Sequence, residues 1–223
     1  SMEMRRRQLE YRILSGLSGV ALSRLLGGFV YGSDDPAWIT LRPALESMHA
    51  CAIHIDDTAG RTIHDIRREC RRLRSDRGLD LVVIDYVQLM AGTSDRRGAT
   101  RNEEVTDISR RLKTLADEVS APILVLSQLN RASESRGDPR PKLIDLRESG
   151  SLEQDADIVA FLWRRHHREG GVTEFILDKQ RNGPCGSVTL SLDRETATFT
   201  DAPGAEVAPP KPEDEYDFKG IPF

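Results

Sequence analysis

The sequence predicts an α/β domain built on a largely parallel sheet, and three observations predict it. Continuous apolar runs at 79–85 (LDLVVID), 122–127 and 157–163 suit strands buried on both faces. Stretches of helical periodicity lie between such runs, notably at 62–77 and 103–119. Shorter alternating segments at 174–179, 187–192 and 196–200 then read as a closing antiparallel set.

Each element has its own signal. Residues 1–4 read as the end of a strand running into a helix, with Leu9, Ile13 and Leu14 on one side. Asp35 and Pro36 form a helix-start pair for 36–49. Residues 52–56 read as a short strand. The helix at 62–77 has Ile63, Ile66, Cys70 and Leu73 on its apolar stripe, and its many arginines form a solvated face or, alternatively, a phosphate-contacting one. Residues 91–101 read as a loop. The helix at 103–119 has Val105, Ile108, Leu112 and Leu115 in phase. Residues 131–142, with Pro139 and Pro141, read as a second loop.

Charge sets limits on function. The chain of 223 residues has a formal charge of −4. Residues 201–223 hold six acids and two bases, so residues 1–200 balance to zero. Any nucleic-acid site must therefore be a local patch. Aromatic residues make up only 5%, which argues against a base-stacking platform. No apolar run approaches the roughly 20 residues of a membrane span, and no secretory signal is visible. Cys51, Cys70 and Cys185 are odd in number and lack metal-ligand spacing, which reads as free thiols in a reducing cytosol.

Four places carry candidate chemistry. Asp85 ends an apolar strand, where a carboxylate either holds Mg²⁺ through water or caps the next turn. Gln128 ends the next strand and either senses a γ-phosphate or anchors a loop. Lys179 and Arg181 lie two apart at a strand end and so point to one side, as a phosphate-binding pair or as ordinary hairpin charges. Residues 146–150 (LRESG) offer Arg147 and a helix start, which suits either an anion or DNA-backbone cradle or a capping turn.

The order IDYVQLM, SQLNR, LRESGSLEQDAD, KQRNGP resembles the C-terminal motor domain of bacterial replicative DNA helicases of the DnaB type, over about residues 1–200. The resemblance implies a RecA-like fold, a central mostly parallel sheet flanked by helices with antiparallel C-terminal hairpin strands. It implies a homo-hexameric ring on single-stranded DNA, with ATP and Mg²⁺ between subunits and with primase and a helicase loader as partners. It implies an ATP-dependent helicase located in the cytoplasm with the nucleoid. Asp85 corresponds to the aspartate that serves Mg²⁺. Ser1–Met4 (SMEM) resembles the family's SLEM, so Glu3 matches the glutamate that activates the attacking water. Gln128 matches the γ-phosphate sensor. Lys179 and Arg181 match the pair offered to the neighbouring subunit's nucleotide, with Arg181 as the arginine finger. Arg147, Glu148 and Gly150 match the loop that tracks the DNA backbone, and 91–101 and 131–142 match loops near the central channel. The stretch after Trp163 is short for the family, and Asp178 stands where a small residue is common. His166 and His167 read as loop residues, since no third metal ligand is placed nearby.

No G-x-x-x-x-G-K-[ST] phosphate loop occurs in the sequence. The first strand and the phosphate loop of such a domain are therefore expected to be missing, leaving apolar sheet surface exposed or differently covered and little ATP hydrolysis by this chain alone. Ser1 fits either a protein-splicing junction or a truncated reading frame. Residues 201–223 read as an acidic, Pro-rich disordered tail. Its end resembles the tip of bacterial single-stranded-DNA-binding proteins, so Ile221, Pro222 and Phe223 would serve a partner with a basic-rimmed apolar pocket.

Overall fold

The computed structural model describes residues 1–30, 32, 34–92, 100–129, 139–164 and 173–202, with the side chains of 147–150 excepted. Most of the loop at 91–101, much of that at 131–142, His166, His167 and the tail with Ile221, Pro222 and Phe223 lie outside the described residues. The chain divides into two compact units, one of residues 1–130, 146–155 and 193–198, the other of 131–145, 156–192 and 199–223.

The first unit holds helices α1 (Arg6–Ser18), α2 (Leu22–Leu26), α3 (Trp38–Ala50), α4 (Ile63–Asp76), α5 (Arg101–Val119) and α6 (Gly150–Asp155), and strands β1 (Val82–Ile84) and β2 (Ile123–Val125). Helix starts follow the chemistry of their first residues. The Asp35 carboxylate accepts the Ala37 N–H at 2.9 Å and a two-point contact from Arg24 at 2.7 and 2.8 Å, just ahead of α3. Thr62 and Asp65 cap α4 reciprocally, and Thr100 and Glu103 do the same for α5. The C-terminus of α1 turns at Gly19, whose φ of 72° favours glycine.

Two cores result. Leu14, Val20, Leu25, Ala37, Leu41 and Ala44 close the contact of α1 with α3. The larger core packs Ile63 and Cys70 of α4, Ile84 of β1 and the α5 row Val105, Ile108, Leu112, Leu115 and Val119. The expected stripes of both α4 and α5 are thus the ones that face inward.

The strands depart from expectation. β1 and β2 are parallel, with Val83 opposite Leu124. The runs at 79–85 and 122–127 are not buried on both faces. Val82, Ile84, Ile123 and Val125 face α5, while Leu81, Val83, Leu124 and Leu126 are 53%, 50%, 52% and 43% exposed. Among the described residues, one face has a helix across it and the other does not. This is the uncovered apolar surface the sequence leads one to expect. Residues 52–56 form no strand. Among the described residues, the Ser1 ammonium at 2.9 Å from the Asp56 carbonyl is their link to the start of the chain. Residues 1–4 form a bend rather than a strand end.

The second unit is a four-stranded antiparallel sheet in the order β3 (Ile158–Arg164), β4 (Thr173–Gln180), β5 (Gly186–Asp193), β6 (Thr198–Asp201), the last two strands crossing into residues of the first unit. The run at 157–163, expected as a third strand of the parallel sheet, pairs antiparallel with β4; among the described residues it has no parallel partner. The expected closing strands are present, β4 and β5 slightly longer than expected and β6 shifted to a later, shorter span. All three cysteines are free.

The larger core and its rim can each be tested. Ile108 is fully buried, so Ile108→Ala should cost about 2–5 kcal/mol, read from the midpoint of urea unfolding. A shift below about 1 kcal/mol would place Ile108 outside the cooperative core. At the rim, Glu118 on α5 is held below the ordinary glutamate value, chiefly by the hydrogen bond from Arg67 at 2.6 Å and also by Arg71, both on α4. The unfolded chain therefore takes up that proton more readily than the folded one. The contribution is complete above the unfolded pKa and lost as pH falls through the lower folded value. Between about pH 5 and about pH 3, Glu118→Gln should lose less stability than the wild type. Parallel losses in the two proteins would remove Glu118 from the acid response.

Candidate functional site

Alternation along the parallel pair decides which side chains meet at its carboxyl end. Leu124, Leu126 and Gln128 are exposed, and Ile123, Val125 and Ser127 are more covered. Leu81 and Val83 precede Asp85 in the same phase. Asp85 and Gln128 thus close the uncovered apolar row at the end of adjacent parallel strands, the place where open α/β sheets receive ligands.

The first residues of the chain lie on Asp85. The Ser1 Oγ donates to Asp85 Oδ2 at 2.8 Å, and the Met2 N–H donates to the Asp85 carbonyl at 2.8 Å. Ser1 Oγ in turn accepts the Met4 N–H at 3.2 Å. These bonds fix a short bend from which Glu3 projects into solvent. A half-buried carboxylate beside a hydroxyl is a set of hard oxygen donors, and such a set suits Mg²⁺ held through water. Among the described residues, no group of three His, Cys, Asp or Glu could hold a metal directly.

Gln88 is a residue that sequence reasoning missed. It sits in the helical turn Val87–Leu89 directly after Asp85. Its Nε2 donates to Ser127 Oγ at 2.9 Å and to the Gln128 carbonyl at 3.2 Å, and its Oε1 accepts the Gln128 N–H at 3.2 Å. The carboxamide of Gln88 therefore pins the backbone at the end of β2 and leaves the Gln128 side chain outward. Among the described residues, that side chain makes no hydrogen bond, so the loop-anchoring role falls to Gln88. The available signal was the polar residue inside the otherwise apolar run YVQLM. Arg101 holds the same turn from α5, donating to the carbonyls of Gln88 at 2.9 Å and Met90 at 2.8 Å.

In the second unit, Lys179 lies opposite Val159 on β4, and Arg181 begins the turn after it. The Arg181 N–H donates to the Asp157 carbonyl at 3.0 Å, and its guanidinium sits 3.1 Å from the Asp157 carboxylate. Both side chains are about half exposed. An exposed ion pair of that kind is worth about 0–1 kcal/mol. Arg147 and Glu148 lie in the helical turn Leu143–Ser149, which runs directly into α6 at Gly150. Their side chains are outside the described residues. The start of that turn is fixed by Lys142 N–H to Asp145 Oδ2 at 2.9 Å, and the end of α6 by Ser109 Oγ to Asp155 Oδ2 at 2.6 Å.

Comparison with known proteins identifies the family of the chain. Residues 1–201 match the family described as DnaB-like helicase C terminal domain. The replicative DNA helicase DnaB of Geobacillus stearothermophilus is 44% identical over 204 residues, 89% of this chain and 44% of the relative. The replicative DNA helicase DnaC of Bacillus subtilis is 43% identical over the same shares. The chain thus spans less than half the length of these relatives. Among solved structures, one described as an ATPase domain superposes with a TM-score of 0.81 at 32% identity, covering 91% of this chain and 73% of that one. A DnaB-like replicative helicase, studied with its interactions with primase, superposes with a TM-score of 0.80 at 33% identity, covering 91% of this chain and 50% of that one. With an α/β fold of the RecA-like kind and a family match over nearly its whole described length, this chain belongs to the DnaB-like helicase C-terminal domain family.

Proposed function

We propose that the chain is part of a replicative DNA helicase, in which a homo-hexameric ring moves along single-stranded DNA on ATP hydrolysis and unwinds the duplex ahead. The observation that carries this reading is the meeting of Asp85, Gln128 and the Ser1–Met4 bend at the carboxyl end of two parallel strands. Residues 1–200 act as one motor domain and 201–223 as a separate acidic tail.

In this reading Asp85 and Ser1 Oγ would hold Mg²⁺ through water, and the ion would offset the charge of the ATP phosphates. Glu3, free to face solvent, takes the proton of the water that attacks the γ-phosphorus. Gln128 donates its amide to the γ-phosphate and feels its loss. Lys179 and Arg181 reach the nucleotide of a neighbouring subunit, and Arg181 leaves Asp157 to make the two-point contact. An arginine in that role is worth about 10³–10⁵ in kcat. The backbone at Gly150 and the side chains of Arg147 and Glu148 follow the DNA backbone. Primase, a helicase loader and a pocket for Ile221, Pro222 and Phe223 are the protein partners, and the working place is the cytoplasm at the nucleoid. No described helix is long and apolar enough to cross a membrane.

A second reading, a non-catalytic DNA-binding or ring-assembly piece, is favoured for the chain by itself because its sequence holds no phosphate loop. A primase-helicase or other RecA-like ATPase fits less well with LRESGSLEQDAD and KQRNGP.

ATP hydrolysis with oligo-dT separates these readings. The chain alone should show no turnover above background. Adding the phosphate-loop segment of a DnaB relative should restore it, and Glu3→Gln should then abolish it. Failure of every such mixture, with DNA binding intact, would favour the non-catalytic piece. In the active mixture, Gln88→Ala should lower kcat on the order of tenfold to a hundredfold by loosening Gln128, with little change in the urea midpoint. An unchanged kcat would show that Gln128 needs no such support.

A further inference from the structure

Strand β4 carries one residue more than its partner. Val159 faces Lys179, but the next residue of β3, Ala160, faces Leu177. The residue left between those pairs is Asp178, so β4 bulges there. A bulge bends its strand and re-aims the side chains beyond it. Beyond this one lie Lys179 and Arg181.

The bulge is also tied to another segment. The Asp178 carboxylate accepts the backbone N–H of Leu143 at 3.1 Å. Leu143 opens the helical turn Leu143–Ser149, and a first-turn N–H has no acceptor within its own helix. Three residues earlier, the Arg140 guanidinium reaches Glu174 near the start of β4 with bonds of 3.0 and 3.1 Å. Residues 140–143 are therefore held along β4 at two points. Glu174 fixes the half that pairs regularly with β3. Asp178 fixes the half that ends in the two cations.

We infer that Asp178 is a positioning residue that couples the strand end bearing Lys179 and Arg181 to the turn bearing Arg147 and Glu148. The coupling rests on the motor reading above. A triphosphate drawn to Lys179 and Arg181 pulls on the strand end just past the bulge, where regular pairing resists least. The Leu143–Asp178 hydrogen bond carries that shift to the first residue of the turn. With the bond removed, both ends keep their own chemistry but stop reporting to each other. Asparagine at 178 keeps a carbonyl oxygen for the Leu143 N–H, and alanine does not.

The test measures the affinity of the chain, supplied with a phosphate-loop segment as above, for labelled oligo-dT with and without a non-hydrolysable ATP analogue. The wild type should change its affinity by about fivefold or more on nucleotide addition, the usual range of coupling between sites. In Asp178→Ala that ratio should fall to within about twofold of one, while affinity without nucleotide is kept. Asp178→Asn should retain the wild-type ratio. Hydrogen exchange at the Leu143 amide should quicken in Asp178→Ala and stay slow in Asp178→Asn, which tests the bond directly. A wild-type ratio in Asp178→Ala overturns the proposal, as does Asp178→Asn behaving like Asp178→Ala. If the wild type binds no oligo-dT in either state, the motor reading fails and the coupling fails with it. That outcome is recognised because the Leu143 amide still responds to the alanine variant.

Discussion

The parallel pairing of β1 with β2 has to be held from one side. Two three-residue strands make few ladder bonds, and an isolated pair of that size is not stable in water. What holds it is the row Val105, Ile108, Leu112, Leu115 and Val119 on α5, against which Ile84 packs directly and Val82, Ile123 and Val125 pack from the edge. The site inherits this dependence. Asp85 is in place because Ile84 is, and Gln128 because Gln88 bridges the two strand ends. Arg101, at the first turn of α5, holds the same turn by its carbonyls, so one helix supports both the sheet and the polypeptide beyond it.

Charge in the two units is used differently. On α4 the arginines are largely committed within the surface: Arg68 to Asp65, Arg72 to Glu69 and Asp76, Arg67 and Arg71 to Glu118. This fits the solvated-face reading of that helix. Exposed pairs of this sort add little individually, but Glu118 shared by two arginines links α4 to α5 across the top of their common core. At Arg181 the pairing with Asp157 is about half exposed on both sides, so it adds little to stability by itself.

The longer helices α4 and α5 were legible in the sequence because a 3.6-residue stripe is a local property, while the five-residue α2 is too short to show one. The start of α5 at Arg101, capped by Thr100 with Glu103, lies two residues ahead of the start expected at 103, because the cap falls within the stretch read as a loop. Burial on both faces of 79–85 and 122–127 was not legible, because an apolar run states only that a covering is wanted, not that one is present. The strand at 52–56 fails for a related reason: a strand needs a partner ladder, and here a single backbone bond comes from Ser1. The antiparallel partner of β3 could not be read from its composition, since Val, Phe and Leu serve either direction equally. Asp85 and Gln128 could be placed by counting in twos along each strand. Gln88 and the bulge at Asp178 could not, because both depend on which backbone groups two distant segments bring together.

The uncovered row Leu81, Val83, Leu124 and Leu126 also bears on how stability depends on temperature. Apolar surface already wet in the native state is not newly hydrated on unfolding, so it adds nothing to the heat-capacity increase. The chain should therefore have a smaller heat-capacity change than a fully covered domain of the same length, and a flatter curve of stability against temperature. Its resistance to cold would then be better than its resistance to heat suggests.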